Sequence, residues 1–438
     1  MLKDAKGLEV TTDSPEAIAA IDRFVEQSLS YGNDALTILK AIEADPTCAI
    51  AYAHAAAHYL SIESNASWQQ AVPYLEAANK YVVGGNEREQ LYVAAITAWG
   101  RRDIRQAIAY HEEIADKYPR DLASVQRGQY HYFYQGDVQG QLEIVEKVLP
   151  ANPNADYLYG MLAFGLEQCQ RLEEAEEWGR FATALQPQDS WAHHAVAHVM
   201  ETQGRVDEGI AWMESLADIW KNCNSMLFTH NWWHVALYYV EKEDFAKVLS
   251  LYDNYVWGGA WKQSCKDQVG AISLLIRLEL RGVDVGDRWV ELADYLGERV
   301  HEHAIPFQDL HYVYALTKAG RTNLANEMVK SMKDHAKVFN TDFKTVWEEV
   351  AIPAALGMIA HGKGDWEKAT TELKSALPNL YKVGGSRAQH DLFEQVYLDA
   401  WLQADRNREA LRLIEKRVAN HRYIPSSQRK LAFSVSAA

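Results

Sequence analysis

At 438 residues, with 48% hydrophobic and 24% charged residues, the chain is globular and long enough to bury an extensive core. Its 44 Lys and Arg against 60 Asp and Glu give a dispersed net charge of −16, which offers no basic stripe to a phosphate backbone and excludes nucleic acid as an expected partner. No apolar run approaches the ~20 residues of a bilayer span and MLKDAKGLEV lacks a signal peptide's pattern, so a cytoplasmic protein without a membrane partner is expected.

Residues Ser14 to Ala44 carry apolar residues with helical period, and Ser14 is placed to cap a helix opening at Pro15. The interruption at Tyr31-Gly32-Asn33 predicts two helices there. Pro46 then breaks the chain before an alanine-rich helix, in which His54 and His58 stand one turn apart. From about residue 86 a repeat is visible. Gly136, Gly204, Gly282, Gly320 and Gly364 fit the turn inside a helical hairpin; Gln170 lies midway between the first two, and Pro119, Pro153 and Pro187 are each 34 residues apart. Each first helix has small residues at its centre, such as Ala94-Ala95, Leu162-Ala163, Val196-Ala197 and Val235-Ala236. Further on the repeats lengthen, with additions at NYVWGGAWKQSCKD (254–267) and VHEHAIPFQD (300–309), which are placed to wall or cover a pocket. Cys48, Cys169, Cys223 and Cys265 are too widely spaced for a metal knuckle or redox pair and read as ordinary buried thiols.

A 34-residue period with a mid-repeat turn and a terminal proline resembles the tetratricopeptide repeat. That resemblance implies an all-α fold, an α-solenoid wound as a right-handed superhelix of roughly eight or nine hairpins with a concave inner surface. The expected organisation is one continuous solenoid over 1–438: capping hairpins over 14–85, regular repeats over 86–253, longer repeats with pocket-covering loops over 254–421, and a tail over 422–438 whose end, RKLAFSVSAA, is liable to fray.

In tetratricopeptide repeats the second, fifth, ninth and twelfth positions of each first helix face the concave side. Carried over by resemblance, this lines the groove with Glu89, Tyr92, Ile96 and Trp99, then Gln126, Tyr130 and Phe133, then Tyr157, Gly160, Phe164 and Glu167. The next repeats contribute Trp191, His194, His198 and Glu201, then His230 and Trp233, with His311 and Tyr314 further along. Aromatic residues with a few convergent polar groups suit a small-molecule pocket; a tightly wound or plugged superhelix would instead make them core.

The densest chemistry lies between Asp189 and Asp253. His194, His198 and Glu201 share one helix face at i, i+4 and i+7, and HNWWH adds His230 and His234, while His193 falls on the packing side. These side chains admit a transition-metal site, although HAVAH is not HExxH. They also admit a general acid/base pair of Glu201 with His198 or His194, or buried residues that satisfy one another's hydrogen bonds. Nucleophilic catalysis has little support, because no Ser or Cys stands in a recognisable elbow or beside these histidines in sequence. No glycine-rich phosphate loop is present, and the inferred groove has almost no Lys or Arg to clamp a peptide carboxylate.

The runs HxxxHxxExxGRxxEGIxWM, HNWWHxALYxxE with LYD, RGVDVGDRW, FQDLHYVYAL and GGSRAQHDLF resemble the tetratricopeptide repeat protein 38 family over most of the chain. Members usually read HDLHALMAY where this chain has Gln308-Asp309-Leu310-His311-Tyr312, a departure that keeps Asp309 and His311. The resemblance implies the fold and brings no activity with it. The expected function is binding of a small organic ligand in a pocket around His194, His198, Glu201, His230, His234 and His311, with an enzyme acting through the same cluster, or a scaffold for protein partners, as alternatives.

Overall fold

The computed structural model describes residues 1–339 and 342–419. The tail expected over 422–438 lies outside them. The fold is all-α and tetratricopeptide-like, apart from a two-residue antiparallel pairing of Leu2–Lys3 with Glu9–Val10.

The helices follow one another as hairpins. The first five are α1 (Pro15–Leu29) with α2 (Ile38–Ala44), α3 (Ala49–Leu60) with α4 (Asn65–Tyr81), α5 (Glu87–Gly100) with α6 (Ile104–Lys117), α7 (Leu122–Gln135) with α8 (Val138–Val148), and α9 (Leu158–Gln168) with α10 (Leu172–Leu185). Next come α11 (Ser190–Thr202) with α12 (Val206–Leu216), α13 (Ser225–Glu241) with α14 (Phe245–Leu251), α15 (Cys265–Glu279) with α16 (Arg288–Ala293), and α17 (Pro306–Lys318) with α18 (Thr322–Ala336). In the tenth, α19 (Asp342–Thr345) runs through a π turn at Val346–Ala351 into α20 (Ile352–Gly362), which pairs with α21 (Trp366–Ala376). The last is α22 (Arg387–Gln403) with α23 (Asn407–Ala419).

One backbone device recurs at the turn inside each hairpin. A single residue takes positive φ: Tyr31, Glu63, Arg102, Gly136, Gln170, Gly204, Glu243, Gly282, Gly320, Gly364 and Asp405. In ten of these turns the amide of the next residue donates to the carbonyl five residues back, as Asp103 does to Ala98 at 2.9 Å and Arg205 to Met200 at 2.9 Å. This is the Schellman closure, which satisfies carbonyls that a helix end leaves over. At Glu63 its own amide donates to Leu60 instead. In several hairpins the following Asp caps the second helix, Asp103 accepting from Gln106 and Asp137 from Gly140. The expectation of eight or nine hairpins is therefore corrected to eleven among the described residues. Counting glycines misses turns because six of these positions hold Tyr, Glu, Arg, Gln or Asp in the left-handed conformation.

Other readings stand as found. Ser14 caps α1 by accepting from the Ala17 amide at 3.1 Å, and the interruption at Tyr31 separates α1 from α2. The segment 254–267 ends in the first turn of α15, and 300–309 runs from a short 3-10 turn into α17, which starts at Pro306.

The chain gathers into two compact units. The first comprises Met1–Val196 and Ala217–Leu227; the second comprises Ala197–Leu216 and the residues from Phe228 on. In the first unit the N-terminal arm is tied down where Thr11 donates from N and Oγ1 to Glu89, and Arg88 pairs with Asp121 at 2.8 Å, both buried. Close helix contact there depends on Gly165, where a Cβ would stand 3.1 Å from the Leu142 backbone. In the second unit Gly209 does the same against the ring of Tyr238.

Gly204 has nothing within 4 Å of a built Cβ, so its role is conformational alone. Replacing it by Ala is expected to cost about 1 kcal/mol, the left-handed penalty for an L side chain. Gln170→Gly, at the matching turn, is expected to gain roughly 0.5–1 kcal/mol. Urea unfolding midpoints of both variants check the pair; a neutral Gly204→Ala would contradict this account of the turn.

Candidate functional site

The division between units passes through α11 and α13, so the histidine-rich stretch is shared out. His194, with Trp191 and Phe164, belongs to the first unit; His198, Glu201, His230, Trp233 and His234 belong to the second.

In the second unit α13 is fixed to α11 by Tyr238, whose hydroxyl donates to the Ala197 carbonyl at 2.7 Å. One turn earlier on α13 stands His234, and one more turn back His230, a spacing that puts all three on one face. The His234 ring lies 4.5 Å from that of His198 and 4.9 Å from that of His230. His198, His230 and His234 each offer a ring nitrogen, and these nitrogens all lie within 4.8 Å of one another. Trp233 stacks on His230 at 5.1 Å with the planes 10° apart. Glu201 Oε2 stands 3.0 Å from His234 Nδ1. With the carboxylate accepting from Nδ1–H, Nε2 keeps its lone pair for another partner.

Burial sets the electrostatics. It pushes His198 and His230 well below the ordinary imidazole value, each further depressed by His234. His234 is pushed down to about 3, first by burial and then by the Arg277 guanidinium. Burial raises Glu201 to about 7 against the pull of Arg277. Glu241, at the end of α13, is raised to about 7 by burial, opposed mainly by Arg281, to which it is bonded at 3.4 Å.

Arg277 of α15 and Arg281 in the turn after it were not among the residues expected from sequence. Arg277 lies 5.2 Å over the Trp233 ring and donates to the Ser273 carbonyl, the Ser273 hydroxyl and the Ala388 carbonyl. The signal was present as a cation inside the apolar run AISLLIRLEL, a place where a charge must be paired and hydrogen-bonded to be kept.

The remaining expected lining residues fall into other settings. In the first unit Tyr31, Trp191 and His194 stack in sequence, with ring centroids 4.8 and 4.5 Å apart, and Phe164 meets both Trp191 and Phe133. Tyr92 and Trp99 are buried, Tyr92 against His54 and Trp99 against Tyr130 and His131. Tyr130 donates to Glu63, and Tyr157 is the buried left-handed residue that precedes α9. His193 packs inside, accepting from Trp220 Nε1 at 3.3 Å. In the second unit His311 donates to the Phe307 carbonyl and meets the edge of Phe393; Tyr314 contacts His361, and Asp309 contacts His303.

Compared with models of known protein families, the chain matches none. Among solved structures it is similar to human IFIT1, a dimer with m7Gppp-AAAA, at 14% identity over 100% of this chain and 98% of that one, with a TM-score of 0.43. It is also similar to a mutant of MamA (18% identity, 38% of this chain, 96% of that chain, TM-score 0.27). The assembly of Naa15/Naa10 bound to HypK-THB is a third (12% identity, 91% of this chain, 62% of that chain, TM-score 0.27). All three scores are low, and nothing about this chain's chemistry follows from them. Among the described residues no helix is long and apolar enough to cross a membrane.

Tyr238→Phe is expected to cost about 1 kcal/mol for the lost hydrogen bond to Ala197. Gly209→Ala, whose Cβ would stand 2.2 Å from the Tyr238 ring, is expected to cost about 1–3 kcal/mol. Because Tyr238→Leu removes the ring that a Cβ at position 209 would meet, denaturation of the double variant Gly209→Ala/Tyr238→Leu should show less than the sum of the losses in Gly209→Ala and Tyr238→Leu alone.

Proposed function

We propose that the second unit holds a divalent transition-metal ion on His198, His230 and His234, and that this ion anchors a small organic ligand beside Trp233. The observation that carries the reading is the convergence of three ring nitrogens within 4.8 Å. Ligand nitrogens around one tetrahedral ion stand roughly 3.4 Å apart, so closing these three onto an ion takes side-chain shifts of about 1 Å. Three protein nitrogens leave a fourth position for ligand or water, the arrangement of catalytic rather than structural zinc. Glu201 supplies the outer carboxylate that orients His234 through Nδ1. The buried Trp233 Nε1 and Asn231 side-chain amide have no hydrogen-bond partner among the described residues, which leaves polar groups next to the histidines for a ligand to satisfy. The HNWWH and GGSRAQ segments support membership of the tetratricopeptide repeat protein 38 family as part of the same reading.

A second reading, general acid/base catalysis by the Glu201–His234 pair without metal, is favoured by their 3.0 Å contact and by the 23% accessibility of the Glu201 side chain.

Metal content separates the two. Full-length protein purified without chelator should carry one transition-metal ion per chain by elemental analysis. After stripping, Co(II) should restore a visible spectrum of nitrogen ligation. His198→Ala or His234→Ala should weaken Co(II) binding by at least about 100-fold, and Glu201→Gln by roughly 10–100-fold. The absence of both bound metal and a Co(II) spectrum would overturn the metal reading and leave the acid/base one.

A further inference from the structure

A separate group of side chains in the second unit has the connectivity of a nucleophilic triad. It is built from the turn before α17, the first turn of α17 and the middle of α18. Asp309 Oδ2 lies 2.6 Å from His303 Nδ1, and His303 Nε2 lies 2.7 Å from Ser331 Oγ. The two contacts fix the tautomer: with Nδ1–H donated to the carboxylate, Nε2 is the acceptor for the Ser331 hydroxyl proton. His303 and Asp309 are buried and Ser331 is half-buried, so the base and its orienting carboxylate are shielded from water.

His303 sits in the turn before α17 with φ 47°, a left-handed conformation. Beside Ser331 stands His301, 62% exposed, with Nδ1 2.9 Å from Ser331 Oγ and Nε2 3.0 Å from Glu327 Oε1. Ser331 has one hydroxyl proton to give, and it goes to His303. His301 meets Glu327, a carboxylate, through Nε2–H, and donating Nδ1–H to Ser331 Oγ as well makes it an imidazolium held beside the nucleophile.

We propose that Ser331, His303 and Asp309 form an acyl-transfer site that hydrolyses small carboxylic esters. Ser331 Oγ attacks the ester carbonyl carbon as His303 Nε2 takes the hydroxyl proton. Collapse of the tetrahedral adduct breaks the carbon–alkoxy bond, and His303 returns the proton to the departing alcohol. Water then attacks the acyl-Ser331 carbonyl, giving its proton to His303; the acyl–Oγ bond breaks, the acid leaves, and Ser331 recovers its proton. Ester and water become acid and alcohol with nothing else consumed. Asp309 is a positioning residue, acting through His303.

The test uses full-length protein with EDTA present, which keeps any metal-dependent chemistry at His198, His230 and His234 out of the readout. A fluorophosphonate probe should form one adduct per chain, mapped to the peptide containing Ser331. Hydrolysis of p-nitrophenyl acetate should fall at least about 100-fold in Ser331→Ala and in His303→Gln. Ser331→Cys supplies a check that does not depend on the ester assay: its thiol should be alkylated by iodoacetamide at least about 10-fold faster than in Ser331→Cys/His303→Gln, because the imidazole generates the thiolate. Labelling at another residue, absence of an adduct on the wild-type protein, or wild-type hydrolysis by Ser331→Ala would overturn the proposal.

Discussion

The structure depends on a backbone conformation: a left-handed residue closing the first helix of each pair, followed in ten of the eleven by an amide that reaches five residues back. Helix ends leave carbonyls unsatisfied, and an exposed end repeated eleven times would be a recurring cost unless each were closed in the same way. Glycine adopts this conformation freely. Where Tyr31, Gln170 or Glu243 adopts it, the penalty of roughly 1–2 kcal/mol is carried by packing on either side of the turn. With the turn fixed, the second helix starts in a defined register, often capped by the next Asp, and the apolar faces of neighbouring hairpins meet.

On that scaffold the chain buries several imidazoles, and their surroundings differ. His193 accepts from Trp220, and His111 contacts the Ser124 hydroxyl at 2.8 Å, each a pairing that satisfies a packed helix interface. His198, His230 and His234 instead face one another, an arrangement that raises the cost of charging any of them. Arg277 adds a buried positive charge nearby, opposed by Glu201 and Asp391. Three ring nitrogens converge there, and a carboxylate grips one of the rings.

The motif that marks the C-terminal part of the chain, GGSRAQ, has a structural account. Ser386 and Gln389 form a capping box at the start of α22, each side chain meeting the other's amide. Gly385 has φ 98° and comes so close to the Phe307 ring that a Cβ would stand 2.9 Å from it. The specificity of this segment therefore reflects a helix start and a close approach. In HNWWH, by contrast, His230, Trp233 and His234 all enter the candidate site.

The sequence by itself determined the helical-hairpin repeat, because helical period, turn glycines and spaced prolines are local signals that one strand of text carries. It also determined that His198, Glu201, His230 and His234 share helix faces, since i, i+3 and i+4 spacing follows from the helix alone. It undercounted the hairpins, because a left-handed Arg102 or Asp405 looks like any other residue until its φ is known. Only the tertiary structure decided that Arg277 reaches Trp233 from α15, and that Ser331, His303 and Asp309 meet across the turn between α16 and α17 and the body of α18. Those contacts join residues on different elements, and their distances are set by packing rather than by spacing along the chain.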